Sequence, residues 1–147
     1  KREKFIRKLI KKTPNIKYDL YGLNNIQPVW ADNFKQAISN CKMGLNLSQG
    51  KSIKFYSSDR ITQLIGNGLL TFIDKKVQMH HFFNKNEIVF YSSINDLADK
   101  VIFYSKNDKA RKKIAMNGKK KYFKLFNEKR ITEYFINIST GKNYNLF

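Results

Sequence analysis

Cysteine is almost absent from this chain. Cys41 is the only one, which excludes an internal disulfide and any metal site built from several thiolates, and leaves Cys41 the role of a small hydrophobe in the packing. Acidic residues are scarce: 11 Asp and Glu face 29 Lys and Arg, for a formal net charge of +18. No stretch approaches the roughly 18 consecutive apolar residues that mark a membrane-spanning helix, and the first segment is charged and amphipathic, unlike the apolar core of a signal peptide. The expectation is a soluble, cytoplasmic protein. Three signatures are also missing: the Walker loop, the Gly-x-Gly-x-x-Gly turn and the Gly-x-Ser-x-Gly elbow, which removes the common nucleotide, dinucleotide and hydrolase motifs. No Asn-Gly turn joins two strand-like runs, and there is no internal repeat or low-complexity segment.

What is present is an apolar content of 41% over 147 residues, enough for the core of one ordinary domain and too much for a disordered chain. We read residues 1–138 as that domain and 139–147 as a tail. The positive charge asks for an anionic partner. A second reading stays open beside it: only five of the 29 basic residues are arginine, and the wealth of Lys, Asn and Ile also fits an AT-rich coding sequence that places lysine at permissive surface positions.

Residues 1–12 carry Phe5, Ile6, Leu9 and Ile10 on one face and basic residues on the other, an amphipathic helix that packs on a sheet or lies on a membrane or nucleic acid. Thr13-Pro14-Asn15 stops it. Residues 16–21 alternate apolar and polar, as a short strand does. A second helix at 30–41 has Phe34, Ala37, Ile38 and Cys41 on its inner stripe, with Asp32 or Asn33 as cap. Residues 77–83, with His80 and His81, form a short helix or loop, and 87–91 form the last strand. Ser93 and Asp96 suit the cap and acidic third position of a helix bearing Leu97, Val101, Ile102 and Phe103. Asn107 or Asp108 caps the next, which Gly118 ends or bends, and Tyr122, Phe123 and Phe126 are expected to face inward. The last helix spans about 128–138.

Residues 43–74 organise the rest. Leu45 and Leu47 sit in one short apolar run and residues 69–73 form another, as buried parallel strands do; between them Ile61, Leu64 and Ile65 recur at helical spacing. Alternating short strands and helices indicate an α/β fold with a parallel sheet, whose core should include Leu45, Leu47, Leu64, Leu70, Phe72 and Val89. Ligands of such sheets bind at the carboxyl ends of the strands. Those ends hold Ser48, Gln49 and Lys51, and across the helix entry Ser57, Ser58, Asp59 and Arg60. Hydroxyls, free backbone N–H groups and a guanidinium at a helix amino terminus are the parts of a phosphate site. An ordinary capped helix is the competing reading, and Asp59 at the positive helix end favours it.

The ordered series Gly44-Leu-Asn-Leu-Ser48, Tyr56-Ser-Ser-Asp-Arg60, Gln63, Gly66-Asn-Gly68, Leu69-Leu-Thr71, Phe82-Phe83, Glu87-Ile88, Tyr91, Asp96-Leu97 and Arg111-Lys-Lys-Ile-Ala115 through Gly118 resembles the carboxy-terminal half of a group 1 glycosyltransferase. It is most similar to the branch that includes spore-maturation-protein-like enzymes, over about residues 1–137. The resemblance implies a Rossmann-like parallel sheet flanked by helices, the second domain of a two-domain GT-B fold, lacking its first strand. That strand would lie between 16–21 and 43–47.

From the same resemblance, the donor is a nucleotide-diphosphate sugar held by Ser48, Gln49, Lys51, Ser57, Ser58, Arg60 and Gln63. Arg60 faces the diphosphate. Gln63 lies at the ribose position where the family carries an acid, a weaker acceptor in the same place. Catalysis is electrostatic, with Arg60, Lys51 and helix-terminal N–H groups stabilising the departing diphosphate without metal or cofactor. The acceptor is unassigned, and so is any catalytic residue, because the family keeps its catalytic base in the missing amino-terminal GT-B domain. As a piece of that enzyme, residues 1–147 should not transfer sugar alone. An anionic membrane is a further expected partner, at the inner face, where lipid-linked acceptors lie. The alternative function is a non-enzymatic RNA- or polyanion-binding module using Lys119, Lys120, Lys121 and Lys124 with the 122–126 aromatics.

Overall fold

A computed structural model describes residues 2–23, 25–48, 52–56 and 58–143. Among them, three parallel strands lie in the order β1 (Met43–Asn46), β2 (Leu70–Asp74), β3 (Val89–Tyr91). Met43 stands opposite Leu70, and Phe72 opposite Val89. Six helices accompany them: α1 (Arg2–Lys12), α2 (Ala31–Ser39), α3 (Asp59–Gly66), α4 (Ile94–Lys106), α5 (Asp108–Leu125) and α6 (Glu128–Ser139). This is an α/β, Rossmann-like arrangement. Among the described residues no helix is long and apolar enough to cross a membrane.

Strand periodicity divides the core into two layers. Leu70 and Phe72 of β2 and Val89 and Tyr91 of β3 point to one face, where Leu9 of α1 and Leu97, Ala98 and Val101 of α4 close over them. Ile73 points to the other, with Ile88, Ile61 and Ile65 of α3 and the turn residues Val77, Met79 and Phe83. A smaller cluster joins Ile38 of α2 to Leu64 and Leu69, with Phe34 and Cys41 packed against it. The apolar stripe of α1 is thus spent on the sheet.

Several expectations change. The alternation at 16–21 does turn Ile16 and Tyr18 toward the core, but no strand pairs with them among the described residues, so there is no ladder. Leu45 and Leu47 are only half-buried, and Asn46 is the buried residue of β1, 2% exposed. The pleat explains it, since Asn46 shares a face with Gly44, over which Leu64 of α3 lies. Neither Asp32 nor Asn33 caps α2; Trp30 holds that position without a side-chain bond. Asn107 precedes α5 but donates its amide to the Phe103 carbonyl instead of capping. Tyr122 and Phe126 pack inward, whereas Phe123 is 51% exposed, and so is much of Phe103.

The boundaries that hold have visible causes. After α3, Gly68 takes φ +79°, and its N–H and that of Leu69 return to the carbonyls of Ile65 and Leu64, the left-handed close that glycine permits. Ser93 Oγ accepts the Asp96 N–H at the start of α4. The Asp96 carboxylate in turn accepts from the Ser92 N–H at 2.8 Å and pairs with Lys100 at 2.7 Å, and Lys100 also donates to the Phe90 carbonyl. This is a capping box shifted by one residue, tied back to β3.

Helix α5 runs on through Gly118 to Leu125 and crosses the amino ends of the strands. Arg111, 7% exposed, donates to the Lys42 carbonyl just before β1 and to Asp108. Asn117 donates to the Asn86 carbonyl ahead of β3. Gly118 is there for closeness, since an added Cβ would run into the Glu87 carbonyl oxygen.

Two measurements follow. Gly118→Ala should lose stability by about 1–3 kcal/mol in urea denaturation, although alanine is the better helix former by about 1 kcal/mol, because the backbone oxygen of Glu87 cannot step aside. Ser93→Ala should cost about 1 kcal/mol. For Asp96, partial burial pushes the carboxyl up but is outweighed by Lys100 and the Ser92 N–H and hydroxyl, so it titrates below the ordinary carboxylate range. Its contribution is therefore complete above the unfolded value of about 3.9 and lost as pH falls through the lower folded value. Asp96→Asn should flatten the acid limb of a stability–pH curve.

Candidate functional site

The carboxyl end of β1 is where charged side chains converge. Asn46 and Leu47 end the strand, and Ser58 and Arg60 stand across from them at the entry of α3. Arg60 Nη1 donates to the Leu47 carbonyl oxygen at 3.0 Å. From the first turn of α1, Arg2 Nη2 reaches the same oxygen at 3.5 Å. Two guanidiniums thus share one acceptor, and neither forms an ion pair with a carboxylate among the described residues. Arg2 Nε is buried there with no hydrogen-bond partner among the described residues. Burial, and then the neighbouring Arg2, lower the pKa of Arg60 from its ordinary value. That direction marks a place where positive charge is in excess and poorly solvated.

The helix end is left open. Ser58 occupies the N-cap in extended conformation, yet its hydroxyl makes no cap bond. It donates at 3.4 Å to Oδ1 of the buried Asn46. Asp59 is exposed and takes no cap bond or ion pair among the described residues, so a carboxylate does not fill the positive end of α3. Nor does Arg60 pair with Asp59. The surface ion-pair reading of Arg60 therefore fails among the described residues; the Ile61 N–H returns to the Ser58 carbonyl, and those of Asp59 and Arg60 have no partner among the described residues.

Of the expected site residues, Ser58 and Arg60 are brought together, and Ser48 follows Leu47, half-buried. Gln63 lies one turn beyond Arg60 on the same side of α3, half-buried, with no side-chain hydrogen bond to the described residues. Gln49, Lys51 and Ser57 lie outside the described residues. Arg2 and Asn46 were not anticipated. In sequence Arg2 is one basic residue among several on an amphipathic helix, and only the fold reveals that it points at the end of β1.

Nearby, residues 52–56 pass beside the end of β2. Ser52 Oγ donates to Asp74 at 3.5 Å, and the Phe55 N–H to the Val77 carbonyl. Phe55, at φ +58°, sets its ring edge-on to His81 and Phe82, while His80 stacks on His81. Among the described residues no three His, Cys, Asp or Glu side chains are grouped to hold a metal ion.

A strand end, two arginines with no carboxylate partner among the described residues and a helix terminus without a side-chain cap bond have the parts of an anion seat, and the chain as a whole can be set beside known proteins. A family described as glycosyl transferase-like matches residues 1–137. The chain belongs to that family. No curated protein and no solved structure proved similar enough to match. Membership gives this glycosyl transferase-like chain a general role in glycosyl transfer, and the two arginines meet at the carboxyl end of β1, the end at which parallel sheets present their ligands.

The two buried or half-buried arginines should separate by substitution. Arg111→Met removes bonds to Asp108 and the Lys42 carbonyl from a buried position and should cost about 1–3 kcal/mol. Arg60→Met gives up one backbone bond while relieving repulsion from Arg2, so urea denaturation should show a change within about 1 kcal/mol. A large loss at Arg60 would make it a structural residue.

Proposed function

We propose that this chain is the donor-binding part of a glycosyltransferase of GT-B type, taking a nucleotide-diphosphate sugar and passing its sugar to an acceptor supplied elsewhere in the enzyme. The observation that carries this reading is the convergence of Arg2 and Arg60 on the Leu47 carbonyl with no carboxylate among the described residues to neutralise them. The donor diphosphate fills the same position. Two guanidiniums match its paired oxygens better than lysines would, because each presents several fixed donors.

In this arrangement the diphosphate lies between the end of β1 and the α3 entry, with the Ser58 hydroxyl, Ser48 and the first N–H groups of α3 around it. Gln49, Lys51 and Ser57 belong to the adjoining segments. Gln63, one turn along, reaches toward the ribose. As the glycosidic bond to the diphosphate breaks, negative charge grows on the departing oxygens. Arg2, Arg60 and the helix-end amides stabilise that charge where it develops. No metal or cofactor enters this scheme, and the catalytic base is expected on a partner domain.

The RNA-binding alternative is less favoured by the packing. Two of the three aromatics that would stack on bases, Tyr122 and Phe126, are turned into the core.

Calorimetric titration with nucleoside diphosphates tests the site, using the wild type, Arg60→Ala and Arg2→Ala. Each substitution should remove a charge-assisted contact worth about 1.5–3 kcal/mol, a weakening of roughly tenfold to a hundredfold. The double variant should lose less than the sum, since both groups hold one diphosphate. Equal affinities across the series, with binding otherwise intact, would take both arginines out of the site.

A further inference from the structure

The outer face of α5 is the other concentration of charge. Lys109, Lys113, Met116, Lys120 and Phe123 succeed one another at intervals of four, three, four and three residues, and all are exposed. That spacing places them in one line along the helix, about 21 Å long at 1.5 Å per residue. Lys112 and Lys124, also exposed, flank the line. After Asp108 the helix contains no acidic residue. Asp108 is engaged with Arg111 and, at 3.8 Å, with Lys112. Lys109, Lys113, Lys120 and Lys124 have no ion pair among the described residues.

Two large apolar side chains are set into this row of ammonium groups, with Met116 54% and Phe123 51% exposed. They are two turns apart on the same line. The outer face of α1 offers a comparison: Lys4, Lys8, Lys11 and Lys12 are exposed there too, but no large hydrophobic residue is exposed with them and Glu3 joins them. A row of lysines alone is what solvation of any basic helix gives. Lysines alternating with exposed apolar prongs are what an interface-seeking helix presents.

We propose that the outer face of α5 docks on an anionic phospholipid surface, with the lysines on the headgroup phosphates and Met116 and Phe123 inserted at the headgroup–acyl boundary. The charge is complementary to such a surface and to no neutral one. A bilayer also suits the shape, because the row is straight and projects from the exposed side of α5, whereas single-stranded nucleic acid is held in grooves with stacking platforms. Met116 is no base-stacking group. The face lies at the amino edge of the sheet, where α5 meets the residues before β1 and β3, while the arginine pair lies at the carboxyl end of β1. Docking therefore leaves the anion seat open and does not depend on what that seat binds.

Sedimentation of the 147-residue chain with phosphatidylglycerol–phosphatidylcholine vesicles, and with pure phosphatidylcholine vesicles, tests this. Binding should require phosphatidylglycerol. At roughly fivefold per lysine near the surface, the pair Lys113→Glu and Lys120→Glu should weaken it tenfold or more beyond the equally charged control pair Lys8→Glu and Lys11→Glu. Met116→Ser with Phe123→Ser should weaken it several-fold at unchanged charge. All these positions are exposed, and thermal melting by circular dichroism checks that each variant folds. The proposal is overturned if the vesicles are not bound, if the two charge-reversed pairs lose equally, if the serine variant binds as the wild type does, or if polyuridylate is bound more tightly through the same residues.

Discussion

Strand β2 pairs with a parallel neighbour on each side and buries Leu70, Thr71, Phe72 and Ile73. A parallel strand so placed obliges cover on both faces. One face takes α1 and α4, the other α3 and the turns after β2. Burying Phe72 alone at about 2–3 kcal/mol is comparable to any single polar contact described above. The two arginines at the end of β1 are therefore a load that the apolar layers carry, and they hold their positions because α1 and α3 are fixed by Leu9, Ile61 and Ile65 rather than by the charges themselves.

The two edges of the sheet differ in electrostatic character. At the amino edge, the buried Arg111 is matched by Asp108 and a backbone carbonyl. Helix α5 supplies side-chain donors there to the Lys42 and Asn86 carbonyls, the first of which also accepts from the Leu70 N–H of β2. At the carboxyl edge, Arg2 and Arg60 meet, among the described residues, a single carbonyl and no carboxylate. One edge is closed chemically and the other is left in deficit. That asymmetry, more than the overall excess of lysine, separates cations whose charge is matched from those whose charge is not, because most of the lysines are solvated and can sit anywhere on the surface.

Much of the organisation was legible from the order of residues. The two apolar runs around Leu45 and Phe72, the helical spacing of Ile61, Leu64 and Ile65, the Gly66-Asn67-Gly68 close and the Ser93–Asp96 cap are local patterns that tertiary structure left in place. What was not legible depends on neighbours distant in sequence. The alternation at 16–21 predicts a strand, but pairing is a property of two strands. Gly118 looks like a helix end until the Glu87 carbonyl is seen against it. Asn46 reads as the polar side of a strand and is buried because Ser58 and α3 lie over it. Arg60 could be read from its place at a helix entry, whereas Arg2, 58 positions earlier in the chain, could not.

Helix α6 has no fully buried residue. Two of its contacts are short in range: Asn127 caps its first turn, and Arg130 reaches the Lys124 carbonyl. Segments held this way open at a small fraction of the free energy of global unfolding. On burial alone, its amide hydrogens should exchange with solvent before those of β2, which gives the molecule a gradient of protection running from the buried sheet to this helix.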